Sequence, residues 1–127
     1  MPREGAPFIL VIEDDPTIAD LLSEIARDAG MHAQVVADPN EVGDGVSPDL
    51  IVTDLVAEYA ERPEHGLEYL RQLRERFATV PLLLVTARTW PRAALQLPVE
   101  AVISKPFDVD LLSTQMVSLT RHAAPLK

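Results

Sequence analysis

Phe8-Ile9-Leu10-Val11-Ile12 is an unbroken apolar run that stops at Glu13-Asp14-Asp15. Leu50-Ile51-Val52-Thr53 stops at Asp54, and Ala101-Val102-Ile103-Ser104 stops at Lys105-Pro106. Two further runs are Ala33-Gln34-Val35-Val36 and Leu82-Leu83-Leu84-Val85, the second opened by Pro81 and followed by Thr86-Ala87. Short runs rich in Ile and Val, separated by helix-like stretches, read as buried strands of a parallel sheet. The carboxyl ends of such strands share one edge, and ligand sites lie along it. Acids and a lysine far apart in sequence therefore converge on one pocket.

The stretches between the runs have helical spacing. Asp15-Pro16 offers an N-cap followed by proline at the first helical position. Ile18, Leu21, Leu22, Ile25 and Ala29 then mark an amphipathic helix that ends near Gly30. Residues 38–47 should be helical by alternation, but Gly43 and Gly45 weaken a helix and predict a short or irregular turn. Residues 57–65 read as a polar loop, and Leu67, Leu70, Leu73 and Phe77 mark the next clear helix. Pro91 and Pro98 leave room for only about two helical turns ahead of the fifth run. Asp108 can cap a last helix whose inner face carries Val109, Leu112, Met116 and Leu119. Five strands alternating with about five helices predict a three-layer α/β sandwich.

At 127 residues the chain is the size of one domain, and residues 1–127 read as a single domain with a core of about 7–122. No apolar run approaches the roughly 20 residues of a membrane span, which excludes membrane insertion. The chain has no cysteine, hence no disulfide framework and no thiolate metal site. The opening residues lack the features of a secretion signal, so a cytoplasmic location is expected. The net charge of −9 argues against nucleic acid as a direct partner. It is also uneven: residues 1–54 hold 12 acids and 2 bases, residues 55–127 hold 8 acids and 9 bases. Only two lysines occur, Lys105 and Lys127, so a lysine at a strand end is less readily incidental.

Glu13, Asp14 and Asp54 would supply oxygen ligands at the carboxyl edge, a donor set that suits Mg²⁺ better than zinc. Three acids without a cation repel one another, so a bound ion or Lys105 must offset them. An aspartate beside Mg²⁺ can act as a nucleophile toward a phosphoryl group. Lys105 and the Thr86 hydroxyl are natural partners for phosphoryl oxygens. His32, His65 and His122 lack metal-ligand spacing and read as surface or loop residues. Trp90, Tyr59 and Arg88 fall in loops near the expected site.

With these motifs in place, Ile9 to Asp15, Asp49 to Leu55, Thr86-Ala87 and Lys105-Pro106-Phe107, the chain resembles the receiver domain of two-component response regulators over about residues 7–122. The resemblance implies a doubly wound, five-stranded parallel sheet of order 2-1-3-4-5, the flavodoxin-like arrangement of which receivers are a standard example. It implies Asp54 as phosphoacceptor, Asp14 as a direct Mg²⁺ ligand and Glu13 acting largely through water. The Val56 backbone carbonyl is implied as a further ligand. Thr86 would be the switch hydroxyl and Lys105 the phosphate-sensing lysine, with a cis Lys105–Pro106 peptide. The implied partners are a histidine kinase or phosphotransfer protein and a downstream protein target.

Some positions depart from the family pattern. Asp14 and Asp54 stand 40 residues apart and Thr86 and Lys105 stand 19 apart, both short for a receiver, so shortened second and fourth helices are expected. Val102 occupies the place of an aromatic switch residue. The expectation is a stand-alone receiver that signals by protein contact or serves as a phosphorelay intermediate or sink. It would not be an enzyme in the ordinary sense, though it would assist its own phosphorylation and slow dephosphorylation. The alternative is a phosphate-independent binding module, which Val102 favours and the intact acids oppose. An aspartyl phosphatase of the dehalogenase type would need a second aspartate where Val56 stands.

Overall fold

The computed structural model describes residues 6–43, 45–54, 63–86 and 99–123. The apolar runs form five strands: β1 (Phe8–Ile12), β2 (His32–Val36), β3 (Leu50–Thr53), β4 (Leu82–Thr86) and β5 (Ala101–Ser104). They pair in parallel in the order β2-β1-β3-β4-β5. Among the described residues three α-helices accompany them: α1 (Pro16–Asp28), α2 (Pro63–Arg76) and α3 (Val109–Ala123). This is the three-layer, doubly wound sandwich of order 2-1-3-4-5 that the sequence implies.

Alternating strand residues feed two cores. On one face, Ile9, Val11, Val52, Leu83, Val85 and Ile103 pack with α1 and with Leu112 and Met116 of α3. On the other, Leu10, Ile12, Ile51, Leu82 and Leu84 pack with Tyr69, Leu70, Leu73 and Phe77 along α2 and its end. β1, β3 and β4 are covered on both sides, which is why they read as unbroken apolar runs. Each fully buried Leu or Ile contributes about 1.5–3 kcal/mol relative to an exposed one.

Caps set the helix starts. Asp15 accepts from the N–H groups of Thr17 (2.9 Å) and Ile18 (3.4 Å) ahead of Pro16. Asp108 does the same for Asp110 (2.8 Å) and Leu111 (3.3 Å) in α3. In place of a second helix, Pro39–Glu41 makes one 3₁₀ turn capped by Asp38. Gly45 takes a left-handed conformation just after it, φ 85°. Arg76 at the end of α2 holds this short segment, donating to the carbonyls of Pro39 (2.9 Å) and Val42 (2.7 Å).

A second tie lies where the chain comes into β5. The Glu100 carboxylate accepts from the β4 N–H of Leu82 at 2.7 Å and from Arg74 of α2 at 2.6 Å. Arg74 also donates to the Val80 carbonyl at 2.9 Å.

Two local expectations need correction. The polar stretch 57–65 is not all loop, because α2 begins at Pro63. Proline suits a first helical position, where its missing N–H has no intrahelical partner to lose. Val109 shares the angular stripe of Leu112 and Met116 but is 49% exposed. It belongs to the first turn of α3, ahead of the part of the helix that packs on the sheet. The expected abbreviated helix between Thr86 and Lys105, and Tyr59, Arg88 and Trp90, lie outside the described residues.

Candidate functional site

Register places the chemistry. Ile12 of β1 pairs with Thr53 of β3, so the next residues, Glu13 and Asp54, stand side by side at the carboxyl edge. Thr86 of β4 pairs with Ser104 of β5, and the Lys105 N–H donates to the Thr86 carbonyl at 2.9 Å. The Lys105–Pro106 peptide is cis.

Lys105 draws the edge together. Its ammonium donates to Asp54 Oδ2 at 2.6 Å and to Glu13 Oε1 at 3.2 Å. The Glu13 side chain is 2% exposed, while those of Lys105 and Asp54 are each 18% exposed. The other Glu13 oxygen accepts from the Asp15 N–H at 3.2 Å, which ties it to the start of α1. Asp14 is exposed beside it, and Thr86 is buried. The structure thus gathers Glu13, Asp54 and Lys105 in direct contact, with Thr86 joined to Lys105 through the backbone. Val56 lies outside the described residues.

Electrostatics follow from burial. Loss of water raises the Glu13 carboxyl above its ordinary value, outweighing the lowering effects of the Asp15 N–H and the Lys105 charge; Asp54 adds to the rise. Burial alone would push the Lys105 ammonium down. The hydrogen bond and charge of Asp54, and then those of Glu13, outweigh it and hold Lys105 above its ordinary value.

Among the described residues no group of three or more Asp, Glu, His or Cys side chains is arranged to hold a metal ion by itself. A hard cation such as Mg²⁺ binds through one or two carboxylates and keeps several waters. The donor atoms are all oxygen, and the acids of Glu13, Asp14 and Asp54 outnumber the single ammonium. The residues present fit a small divalent cation.

Sequence reasoning missed one pair here. Thr53 Oγ1 donates to the carbonyl of Asp54 at 2.7 Å, and it lies 2.8 Å from the hydroxyl of Tyr69 on α2. Two signals pointed to it. Thr53 is the sole hydroxyl in a buried aliphatic strand, and a buried hydroxyl needs a partner. Tyr69, Leu73 and Phe77 recur every four residues, which puts the tyrosine on the core face of its helix.

The chain and its fold have counterparts among known proteins. The family model described as response regulator receiver domain matches residues 9–117. Transcriptional regulatory protein TrcR of Mycobacterium tuberculosis is 28% identical over 131 residues, covering 98% of this chain and 49% of that protein. The DNA-binding dual master transcriptional regulator RpaA of Synechocystis is 32% identical over 124 residues, covering 91% of this chain and 50% of that protein. The chain therefore spans about half the length of these curated relatives. Among solved structures, the receiver domain of Francisella response regulator 1452 superposes with a TM-score of 0.77 at 23% identity, covering 93% and 99% of the two chains. Chemotaxis protein CheY4 of Vibrio cholerae gives 0.73 at 20% identity, covering 91% and 99%. At these identities the structural likeness is one of fold.

The chain belongs to the response regulator receiver domain family. Domains of this family are phosphoacceptors of two-component signal transduction rather than enzymes of the ordinary kind. No helix among the described residues is long and apolar enough to cross a membrane.

Proposed function

We propose that this chain accepts a phosphoryl group on Asp54, from a histidine kinase or a phosphotransfer protein, with Mg²⁺ bound at the same edge. The observation that carries this reading is the lysine bridge: Lys105 Nζ lies on Asp54 Oδ2 and on the buried Glu13 at once. Such a bridge restrains the aspartate and stores a cation where phosphoryl oxygens would arrive.

In the step itself an Asp54 carboxylate oxygen attacks the phosphorus. An O–P bond forms as the N–P bond to the donor histidine breaks, and the imidazole leaves with the bonding pair. Lys105 shifts from the carboxylate to an oxygen of the incoming group, and the Thr86 hydroxyl donates to another. Bound Mg²⁺ would supply neutralisation of the charge shared by acceptor and phosphoryl group. Asp14, Asp54 and the Val56 carbonyl would hold it, with Glu13 acting through water. Slow hydrolysis of the acyl phosphate resets the domain.

The state is then read by a downstream protein, or the phosphoryl group is passed on. The acidic net charge speaks against direct contact with nucleic acid. The curated relatives extend well beyond the matched half; the proposal concerns residues 1–127 as one receiver domain acting in the cytoplasm.

The test is acetyl phosphate with Mg²⁺ followed by intact mass. One phosphoryl adduct is expected, absent in Asp54→Asn and after chelation with EDTA. An adduct persisting in Asp54→Asn would remove Asp54 from the role. No adduct from acetyl phosphate or from any histidine kinase would favour the phosphate-independent binding module.

A further inference from the structure

β2 is the least covered strand of the sheet. In an all-parallel sheet, crossover helices ordinarily shield both faces. Yet His32, Gln34 and Val35 are exposed and Ala33 is half-buried, which leaves Val36 as the one buried residue of β2. The cause is the crossover that follows. On the face shared by His32 and Gln34, the described residues between β2 and β3 supply only the 3₁₀ turn Pro39–Glu41 where a helix would lie.

Among the described residues β2 also ends the sheet, with β1 as its single neighbour. Register fixes which main-chain groups face outward. The His32 N–H donates to the Pro7 carbonyl at 2.8 Å, and the Val36 carbonyl accepts from the Glu13 N–H at 3.0 Å. His32, Gln34 and Val36 therefore direct both their main-chain groups to β1. Ala33 and Val35 direct theirs outward, and no described residue pairs with them. The strip has built ends. Met31 is tied back to the Ala26 carbonyl at 2.9 Å, and the Ala37 N–H, next in the outward series, donates to Glu41 Oε1 at 3.4 Å.

The surroundings select an occupant. Val35 shares the α1 side of the sheet with Val11, its partner in register, and is 41% exposed. α1 stands over β1 and β2 while α3 stands over β3, so the flank of α1 turned from α3 overlooks this edge. Ala19, Ser23 and Ala26 are buried on the inner flank; Leu21, Glu24 and Asp28 lie exposed on the other. Rises of about 1.5 Å per helical residue and about 3.3 Å per strand residue put Leu21 and Val35 at one height, about 10 Å above the turn joining α1 to β2. An apolar pair thus borders the strip. Glu24 and Asp28 rim it on this side, and Asp38 and Glu41 lie beyond the strand end. Arg27 is the single base of α1.

We infer that the open edge of β2 docks an extended segment of a partner protein, basic and with alternating apolar residues, which joins the sheet as a further strand. Strand addition takes affinity from main-chain bonds and specificity from alternate side chains. Ala33 and Val35 supply the bonds, Leu21 and Val35 meet the apolar residues, and the acids favour a basic chain. A second copy of this chain is a poor occupant, because it would set like acidic rims together under a net charge of −9. Glu13, Asp54 and Lys105 take no part.

The probe is a short blocked peptide alternating arginine and valine, titrated into the isotope-labelled chain by NMR. At saturation, exchange of the Ala33 and Val35 amides should slow about tenfold or more. The Gln34 and Val36 amides, already bonded to β1, should change little, an alternation that marks a new strand and not general stabilisation. Val35→Pro removes one outward N–H and nothing of the β1 ladder. It should weaken peptide binding about tenfold and leave amide exchange in β1 and β3 unchanged. N-methylation of the peptide's bonding amides should have the same effect with the protein unaltered. Glu24→Gln/Asp28→Asn/Glu41→Gln should weaken binding about tenfold at low salt and far less at high salt.

Failure of the peptide to bind would overturn the inference. So would shifts centred on residues 13–15 and 105, with Val35→Pro and the N-methylated peptide binding as before, since the acids alone would then hold the peptide. Protection of Ala33 and Val35 without peptide, rising with protein concentration and lost in Val35→Pro, would give the edge to a second copy and refute the choice of partner. Equal binding of a peptide alternating glutamate and valine would refute the role of charge.

Discussion

Replacing Lys105 with methionine keeps most of the side chain's bulk and removes its charge. The two carboxylate oxygens it bridges lie on one nitrogen at 2.6 and 3.2 Å, so they stand no more than about 6 Å apart. Two full charges at about 6 Å in a medium of effective dielectric constant near 20 repel by about 3 kcal/mol. Two charge-assisted hydrogen bonds are lost as well, each contributing about 1.5–3 kcal/mol. Against this, the variant no longer buries an ammonium, and Asp54 has enough exposure to turn toward water. The net loss at pH 7 should be about 2–4 kcal/mol, near the range for breaking a buried pair. In urea that lowers the midpoint by about 2 M.

The loss should depend on pH in a defined direction. Burial already holds Glu13 above its ordinary value of 4.5, and Lys105 pulls the other way. Without Lys105 the carboxyl rises further. An acid raised in the folded state costs stability above its folded pKa and costs nothing below the unfolded one. The deficit of Lys105→Met should therefore shrink as pH falls from 7 toward 4.5. In wild type the raised Lys105 contributes stability that is complete below 10.5 and is lost as pH rises through its folded value. The variant should lack that alkaline loss. Urea unfolding across this range measures both limbs. An unchanged midpoint at pH 7, or a deficit of constant size down to pH 4.5, would refute the reasoning.

Asp15→Ala removes the cap on α1 and should cost about 1 kcal/mol in urea unfolding, with the midpoint falling accordingly. Arg76→Met frees the carbonyls of Pro39 and Val42; amide exchange should accelerate at residues 39–46 and remain slow in β1 and β4, and uniform acceleration would argue against a local tie. Beryllofluoride, added with Mg²⁺, should shift NMR signals of residues 55–66 and 86–98 while β5 moves little. Val102 has one strongly preferred rotamer and is already 48% exposed, so it has no ring to turn inward. A concerted displacement of β5 and α3 would show that another residue replaces the ring.

Much of this molecule was legible because its information is local. The five strands show as apolar runs, and Asp15-Pro16 and Asp108 announce helix starts through the chemistry of unpaired N–H groups. Glu13, Asp54 and Lys105 could be gathered from afar because a parallel sheet brings its strand ends to one edge. What escaped is what depends on distance. Arg74 and Glu100 are 26 residues apart, Arg76 and Val42 are 34 apart, and nothing in either neighbourhood names its partner. Thr53 and Tyr69 carried signals of burial but none of each other. Pro63 falls in the stretch 57–65 that reads as a polar loop, yet it opens α2, because proline both ends and begins helices and position alone decides which.

The tie at Glu100 has a consequence for how such a chain can change. One carboxylate holds the Leu82 N–H and Arg74 together, and the Glu100 N–H returns to the Leu82 carbonyl at 2.9 Å. The path into β5 is thus clamped to β4 and α2 by groups that lie wholly outside residues 87–98. The register of β5 on β4 is thereby held by groups of the sheet and of α2 themselves. A substitution that breaks the tie at Glu100 should therefore be felt at the far end of β5, where Lys105 leaves the strand, and not only where the strand begins.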